Sequence, residues 1–112
     1  MLIYKILRAA EWATFENDQQ TNGAPIDLQD GYIHFSTGAQ AAETAAKYFA
    51  GVDGLMLAAF DSEALGEALK WEESRGGALF PHLYRELHLG EMLWVKPLPC
   101  KGNSHEFPEG VL

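Results

Sequence analysis

Two stretches of this chain set acid–base and hydrogen-bonding groups at two-residue spacing. Residues 30–37, DGYIHFST, read as a strand that carries Tyr32, His34 and Ser36 on one face, since successive strand side chains alternate sides. Ile33 and Phe35 then point into the interior. Residues 80–89, FPHLYRELHL, repeat the arrangement, with His82, Tyr84, Glu86 and His88 on one face and Leu83, Leu87 and Leu89 on the other. The two polar faces are expected to form the walls of one cleft. Imidazoles, phenols and a hydroxyl gathered in this way suit proton transfer and the binding of a small polar ligand.

A third contribution comes from Glu72. It follows Trp71 in a short strand predicted over 68–72, so the indole belongs to the core and the carboxylate faces the opposite side, toward the cleft. Ser36 as a nucleophile would need His82 as its base, because His34 on the same strand face is about 7 Å away. A zinc site of three nitrogens from His34, His82 and His88 lacks any tight spacing, and the single Cys100 rules out a thiolate-rich one. No metal is expected. There is no GxGxxG, no GxxxxGK[ST], no HExxH and no GxSxG, which removes the Rossmann, P-loop, zinc-protease and α/β-hydrolase readings.

The elements that must position these groups follow from periodicity. Residues 2–7 form a first strand, and a short helix runs from Ala9 to about Asp18 with Trp12, Ala13 and Phe15 inward. Residues 17–25 are turn-formers without periodicity and predict a long loop, a connection or a lid over the site. Thr37 and Gln40 fit a capping box, so a second helix starts there, with Ala42, Ala45, Ala46 and Phe49 as its packed face and Gly51 as its stop. Residues 55–60 are a continuous apolar run, the pattern of a central strand covered on both sides. One helical turn over 63–65, the two short strands at 68–72 and 80–89, and a last strand over 92–96 complete the domain. Residues 100–112 read as a polar tail on the surface.

Composition bounds the function. The 112 residues suffice for one small domain, and 47% hydrophobic with 21% charged residues is globular composition. No apolar run approaches a membrane span and the N-terminus does not read as a signal peptide, so a soluble cytoplasmic protein is expected, with a monomer as the default. A net charge of −8 argues against bulk nucleic-acid binding. One phosphate could still be received locally by Arg8 or Arg85.

With DGYIHFST, the Trp71-Glu72 pair and FPHLY in view, the chain resembles the DUF952 family of small bacterial proteins, from Ile3 through Trp12 to Val95. It departs from the family pattern at Lys5, where relatives resemble His, and at Arg85, where Gly is expected. The resemblance implies an α+β, ADP-ribosyltransferase-like fold over residues 1–99: a split, mainly antiparallel sheet with two principal helices packed on it. In enzymes of that fold an early-strand His followed by small hydroxyl residues holds the nicotinamide ribose, which implies His34 with Ser36 and Thr37. An aromatic residue stacks on the nicotinamide, implying Tyr48 or Tyr84. A late carboxylate bonds the ribose 2′-hydroxyl and faces the oxocarbenium-like transition state, implying Glu72 or Glu86. With His82 opposite His34 and Arg8 for phosphate, the implied ligand is NAD, as a substrate, or a related nucleotide, and the implied reaction is N-glycosidic cleavage or ADP-ribose transfer. The alternative is a non-catalytic module that binds a small metabolite or a peptide end in the same cleft.

Overall fold

The computed structural model describes residues 1–102 and 104–111, with the backbone alone at position 75. Along the chain run β1 (Leu2–Leu7), α1 (Ala9–Asp18), β2 (Gln20–Thr21), α2 (Pro25–Asp30), β3 (Ile33–His34), β4 (Ser36–Thr37), α3 (Gly38–Tyr48), β5 (Leu55–Asp61), β6 (Leu69–Glu73), β7 (Leu79–Leu83), β8 (Leu87–His88), β9 (Met92–Leu98), β10 (Cys100–Lys101) and β11 (Ser104–His105). This is an α+β fold in which the strand pairings are antiparallel. Its larger sheet has the order β4-β1-β5-β9, and a second has the order β3-β7-β6.

Hydrophobic alternation explains how the two sheets stack. On β1, Ile3 and Leu7 face one side and Tyr4 and Ile6 the other, and all four are buried. The first side packs with Ala58 and Phe60 against Ile33, Leu69 and Leu83 of the smaller sheet and Phe15 of α1. The other side joins Leu55, Leu57 and Ala59 to Ala45 of α3 and to Val111. The apolar run in β5 is therefore the central strand, covered on both faces as its composition suggests.

Several local expectations are corrected. The strand read over 30–37 is two short strands in different sheets. β3 pairs with β7 (Ile33 with Leu83, His34 with His82), whereas β4 pairs with β1 (Ile3 with Thr37, Tyr4 with Ser36). The switch occurs at Phe35, whose N–H donates to Pro81 O at 3.0 Å while its ring packs edge-on against Phe60. The strand read over 80–89 likewise breaks after Leu83, so Glu86 and His88 leave the face that carries His82. They meet each other instead, at 3.6 Å.

The predicted loop over 17–25 contains β2, paired with β8, and opens directly into α2. Helix α3 begins at its Thr37 cap as expected, but it buries Ala41 and Ala45, leaving Ala42 and Ala46 exposed. Trp71 is 40% exposed and does not belong to the core, because its side of β6 lies beyond the cluster that Leu69 enters. Past residue 100 the chain returns to the molecule: β10 and β11 form a hairpin, His105 Nε2 donates to Val52 O at 2.9 Å, and Val111 is buried beside Tyr4.

Candidate functional site

The change of sheet at Phe35 creates the site. β4 accompanies β1 only at Ile3 and Tyr4, and among the described residues the edge of β1 beyond that point has no strand neighbour. A cleft of about 490 Å³ opens there, within the roughly 300–1,000 Å³ typical of small-molecule sites. Lys5 and Arg8 reach it from β1 and its end, Asp30 from α2, His34 and Ser36 from the crossing segment, Thr44 and Tyr48 from α3, and His82 from β7.

Beneath the cleft lies Asp27, 1% exposed. Its Oδ2 accepts from Lys5 Nζ and from Ala24 N–H, each at 2.8 Å. Its Oδ1 accepts from His34 N–H at 3.0 Å and faces His34 Nδ1 at 2.6 Å. Lys5 Nζ also donates to His34 O at 3.0 Å, so the ammonium, the carboxylate and the histidine backbone form one closed knot. Burial pushes the Asp27 carboxyl up, but the hydrogen bond from His34 and the charge of Lys5 outweigh it and bring its pKa down to about 2. The local fold places it there: Pro25 opens α2, and Asp27 two residues later turns back to bond the Ala24 N–H. The second ring nitrogen of His34, Nε2, faces Asp30 Oδ2 at 3.0 Å.

A separate imidazole–carboxylate pair stands on the neighbouring strands. His82 is 2% exposed, and its Nδ1 lies 2.8 Å from Glu72 Oε1. The Tyr84 hydroxyl donates to the same oxygen at 2.7 Å. These bonds, that of Tyr84 foremost, hold the Glu72 carboxyl below its usual range, and the bond to Glu72 pushes the Tyr84 phenol up to about 12. Tyr32 ties the two pairs together. Its ring stacks on His82 at 4.1 Å between centroids and lies 4.7 Å from His34 and 5.2 Å from Tyr84, while the two imidazoles are 5.4 Å apart.

Of the residues singled out from the sequence, Arg8, His34, Ser36, Tyr48 and His82 line the cleft. Glu72 and Tyr84 do not; they stand behind His82 and reach the cleft through it. Thr37 is occupied as the α3 cap, accepting from Gln40 N–H at 3.3 Å. The Ser36 hydroxyl bonds Thr44 Oγ1 at 2.9 Å. Arg85 is clasped by Glu91 at 2.6 and 3.0 Å and lines a second pocket of about 250 Å³, on which Tyr32 and Asp27 also border. Asp27, Asp30 and Thr44 escaped the sequence reading as site residues, and Lys5 entered it only as a departure from the family pattern. A signal existed for Asp27, since Pro25 followed two residues later by an acid is a helix start. Among the described residues no three His, Cys, Asp or Glu side chains are grouped to hold a metal ion, and no helix is long and apolar enough to cross a membrane.

Residues 6–95 match the family described as "Protein of unknown function (DUF952)". The chain belongs to the DUF952 family. Solved structures agree over nearly its whole length. The crystal structure of protein CC0527 from Caulobacter crescentus is 48% identical, covers 95% of this chain and 94% of its own, and superposes with a TM-score of 0.91. The solution NMR structure of CC0527 is 50% identical over 93% of this chain and 90% of its own, with a TM-score of 0.83. No curated protein matches. The DUF952 match ends at residue 95, so the C-terminal segment that packs Val111 beside Tyr4 lies beyond it.

Proposed function

We propose that this DUF952 domain binds NAD or a related nucleotide in the cleft, with the two-sheet architecture serving as an ADP-ribosyltransferase-like scaffold. The observation that carries the reading is the convergence of Arg8, His34, Ser36 and Tyr48, from separate parts of the chain, on one cleft of small-molecule size. Arg8 supplies a cation for a phosphate, His34 supplies a polar group to the ribose–phosphate portion, Ser36 supplies one for a ribose hydroxyl, and Tyr48 supplies a face for a heteroaromatic ring. For cleavage, the N-glycosidic bond breaks with its electron pair passing to the pyridine nitrogen. Water adds at the ribose carbon and releases a proton, giving nicotinamide and ADP-ribose. Thr37 and Tyr84 have supporting roles in this scheme, the first by starting α3 and the second by holding Glu72, which in turn orients His82.

A second reading, a binding module without catalysis, is favoured by one specific observation. Both carboxylates beside His34 are engaged by that ring, and Glu72 is engaged by His82 and Tyr84. The two readings separate when the protein is incubated with NAD, ADP-ribose and 2′-phosphorylated nucleotides under ligand-observed NMR. Binding with release of nicotinamide supports the enzyme, and binding without release over hours supports the module. No binding of any of these at millimolar concentration refutes the nucleotide reading altogether.

A further inference from the structure

Two carboxylates flank the imidazole of His34, and their circumstances are opposite. Asp27 is buried and takes bonds from three different residues. Asp30 is about one-third exposed at its side chain, lies in the cleft wall, and among the described residues has no side-chain partner other than His34 Nε2. It is the last residue of α2, directly before Gly31, whose φ of 86° ends the helix. The first carboxylate is therefore part of the frame, and the second is held by a single contact at 3.0 Å.

We infer that His34 Nε2 is the anion-binding point of the cleft, that the Asp30 carboxylate occupies it in the free protein, and that a phosphate oxygen of the ligand takes it by displacing Asp30. This rests on the nucleotide reading above and names the group within the nucleotide that is recognised and the residue that competes with it. The geometry is specific. Asp27 holds the ring through Nδ1 and through the backbone N–H of the same residue, so the one ring nitrogen left to a ligand is Nε2. A phosphate oxygen can make at Nε2 the charge-assisted contact that the Asp30 carboxylate oxygen makes there at 3.0 Å. Arg8 lies in the same cleft, its guanidinium 4.7 Å over the Phe49 ring and only loosely paired with Glu11 at 3.6 Å, which leaves N–H groups for an anionic ligand. Lys5, the other Lys or Arg among the described residues that line the cleft, is already committed to Asp27 and His34 O. In a chain of net charge −8, an internal carboxylate that must be moved aside sets a threshold that only an anionic ligand overcomes.

The test compares the wild-type protein with Asp30→Asn, titrated with AMP, ADP-ribose, inorganic phosphate and uncharged adenosine. Affinity is read by calorimetry and the His34 ring by nitrogen-15 NMR. Removing the competing charge should tighten AMP and ADP-ribose by about tenfold, as for a site blocked about nine-tenths of the time, and leave adenosine unchanged. Tightening of inorganic phosphate as well identifies the phosphate group alone as sufficient, whereas tightening confined to the nucleotides identifies it as read only within them. Unchanged or weaker AMP binding by Asp30→Asn overturns the inference while the nucleotide reading stands, as does equal tightening of adenosine. If AMP and ADP-ribose bind neither protein, both fall. Asp30→Ser repeats the comparison in case the Asn side chain keeps the contact to Nε2.

Discussion

Asp27 Oδ1 and His34 Nδ1 lie 2.6 Å apart, seven residues from each other in the chain and on opposite sides of a helix end. The other oxygen of the carboxylate holds the buried ammonium of Lys5, so removing the charge of Asp27 strands a cation that is 6% exposed. Asp27→Asn should cost about 3–5 kcal/mol, the scale of a buried ion pair that loses one partner. The double substitution Asp27→Asn with Lys5→Met should be less destabilised than Asp27→Asn alone, because the stranded charge has gone. Urea unfolding of the three proteins checks the order.

The same carboxylate sets an acid limit on stability. Its pKa falls from an ordinary 3.8 to about 2 in the folded protein, so between those values the unfolded chain binds more protons than the native one and stability rises with pH. Its contribution, roughly 2–3 kcal/mol, is fully present above about pH 5 and is lost as pH falls toward 2. Thermal unfolding of wild type against Asp27→Asn should show a gap that narrows over that window. A gap independent of pH would contradict the assignment.

At the other pair, Glu72→Gln should leave the fold intact, since the Glu72 side chain is substantially exposed. It should release the Tyr84 phenol, whose pKa of about 12 depends first on the bond to Glu72, so that it ionises at lower pH, nearer the ordinary tyrosine value. Ultraviolet titration of tyrosinate, with Tyr84→Phe to identify the transition, reads this directly. If the enzyme reading holds, the same substitution should lower nicotinamide release by about 10²-fold through the loss of His82 orientation.

His34 and His82 share a cross-strand pair and a common neighbour in Tyr32. Their imidazole signals should move together when a nucleotide enters the cleft. His105 should not move, because its ring is anchored on Val52 O and it does not line the cleft. Separate responses of His34 and His82 would refute a shared site.

Gly38 opens α3 where the backbone of the C-terminal segment passes, and a Cβ built there meets the carbonyl oxygen of Val111. Gly38→Ala should therefore cost about 1–3 kcal/mol by overpacking. It should also raise hydrogen exchange at residues 104–111 ahead of the rest of the molecule.

The sequence made the large elements legible where a repeating pattern runs long enough. The apolar run of β5, the Thr37–Gln40 cap of α3 and the alternation of β1 each fix an element without help from tertiary contacts. It also brought His34 and His82 together, since period-two spacing survives across the two-residue β3 and the five-residue β7, but the two strands pair side by side in one sheet and do not face each other as opposite walls. What it could not show is where a strand leaves one sheet for another. Phe35 switches sheets with no glycine or proline to mark the step, so Ser36 continued on paper a face from which it departs in space. Asp27 was hidden for a related reason: its partners Lys5 and His34 are distant in sequence, and an acid in a polar stretch looks solvated until the fold closes over it. Trp71 fails in the opposite sense, because a lone large apolar residue on a short strand carries no information about which face is covered.

Tyr32 borders both the larger cleft and the smaller pocket beside Arg85, so one residue belongs to the walls of two cavities. Their energetics are thereby linked: a molecule that shifts this residue in one cavity changes the volume offered by the other. Linkage requires that the effect be felt equally in the reverse direction. A molecule in the Arg85 pocket that moves Tyr32 would then be felt in the His34 cleft, and Tyr32→Ala, which removes the shared side chain, should abolish that dependence.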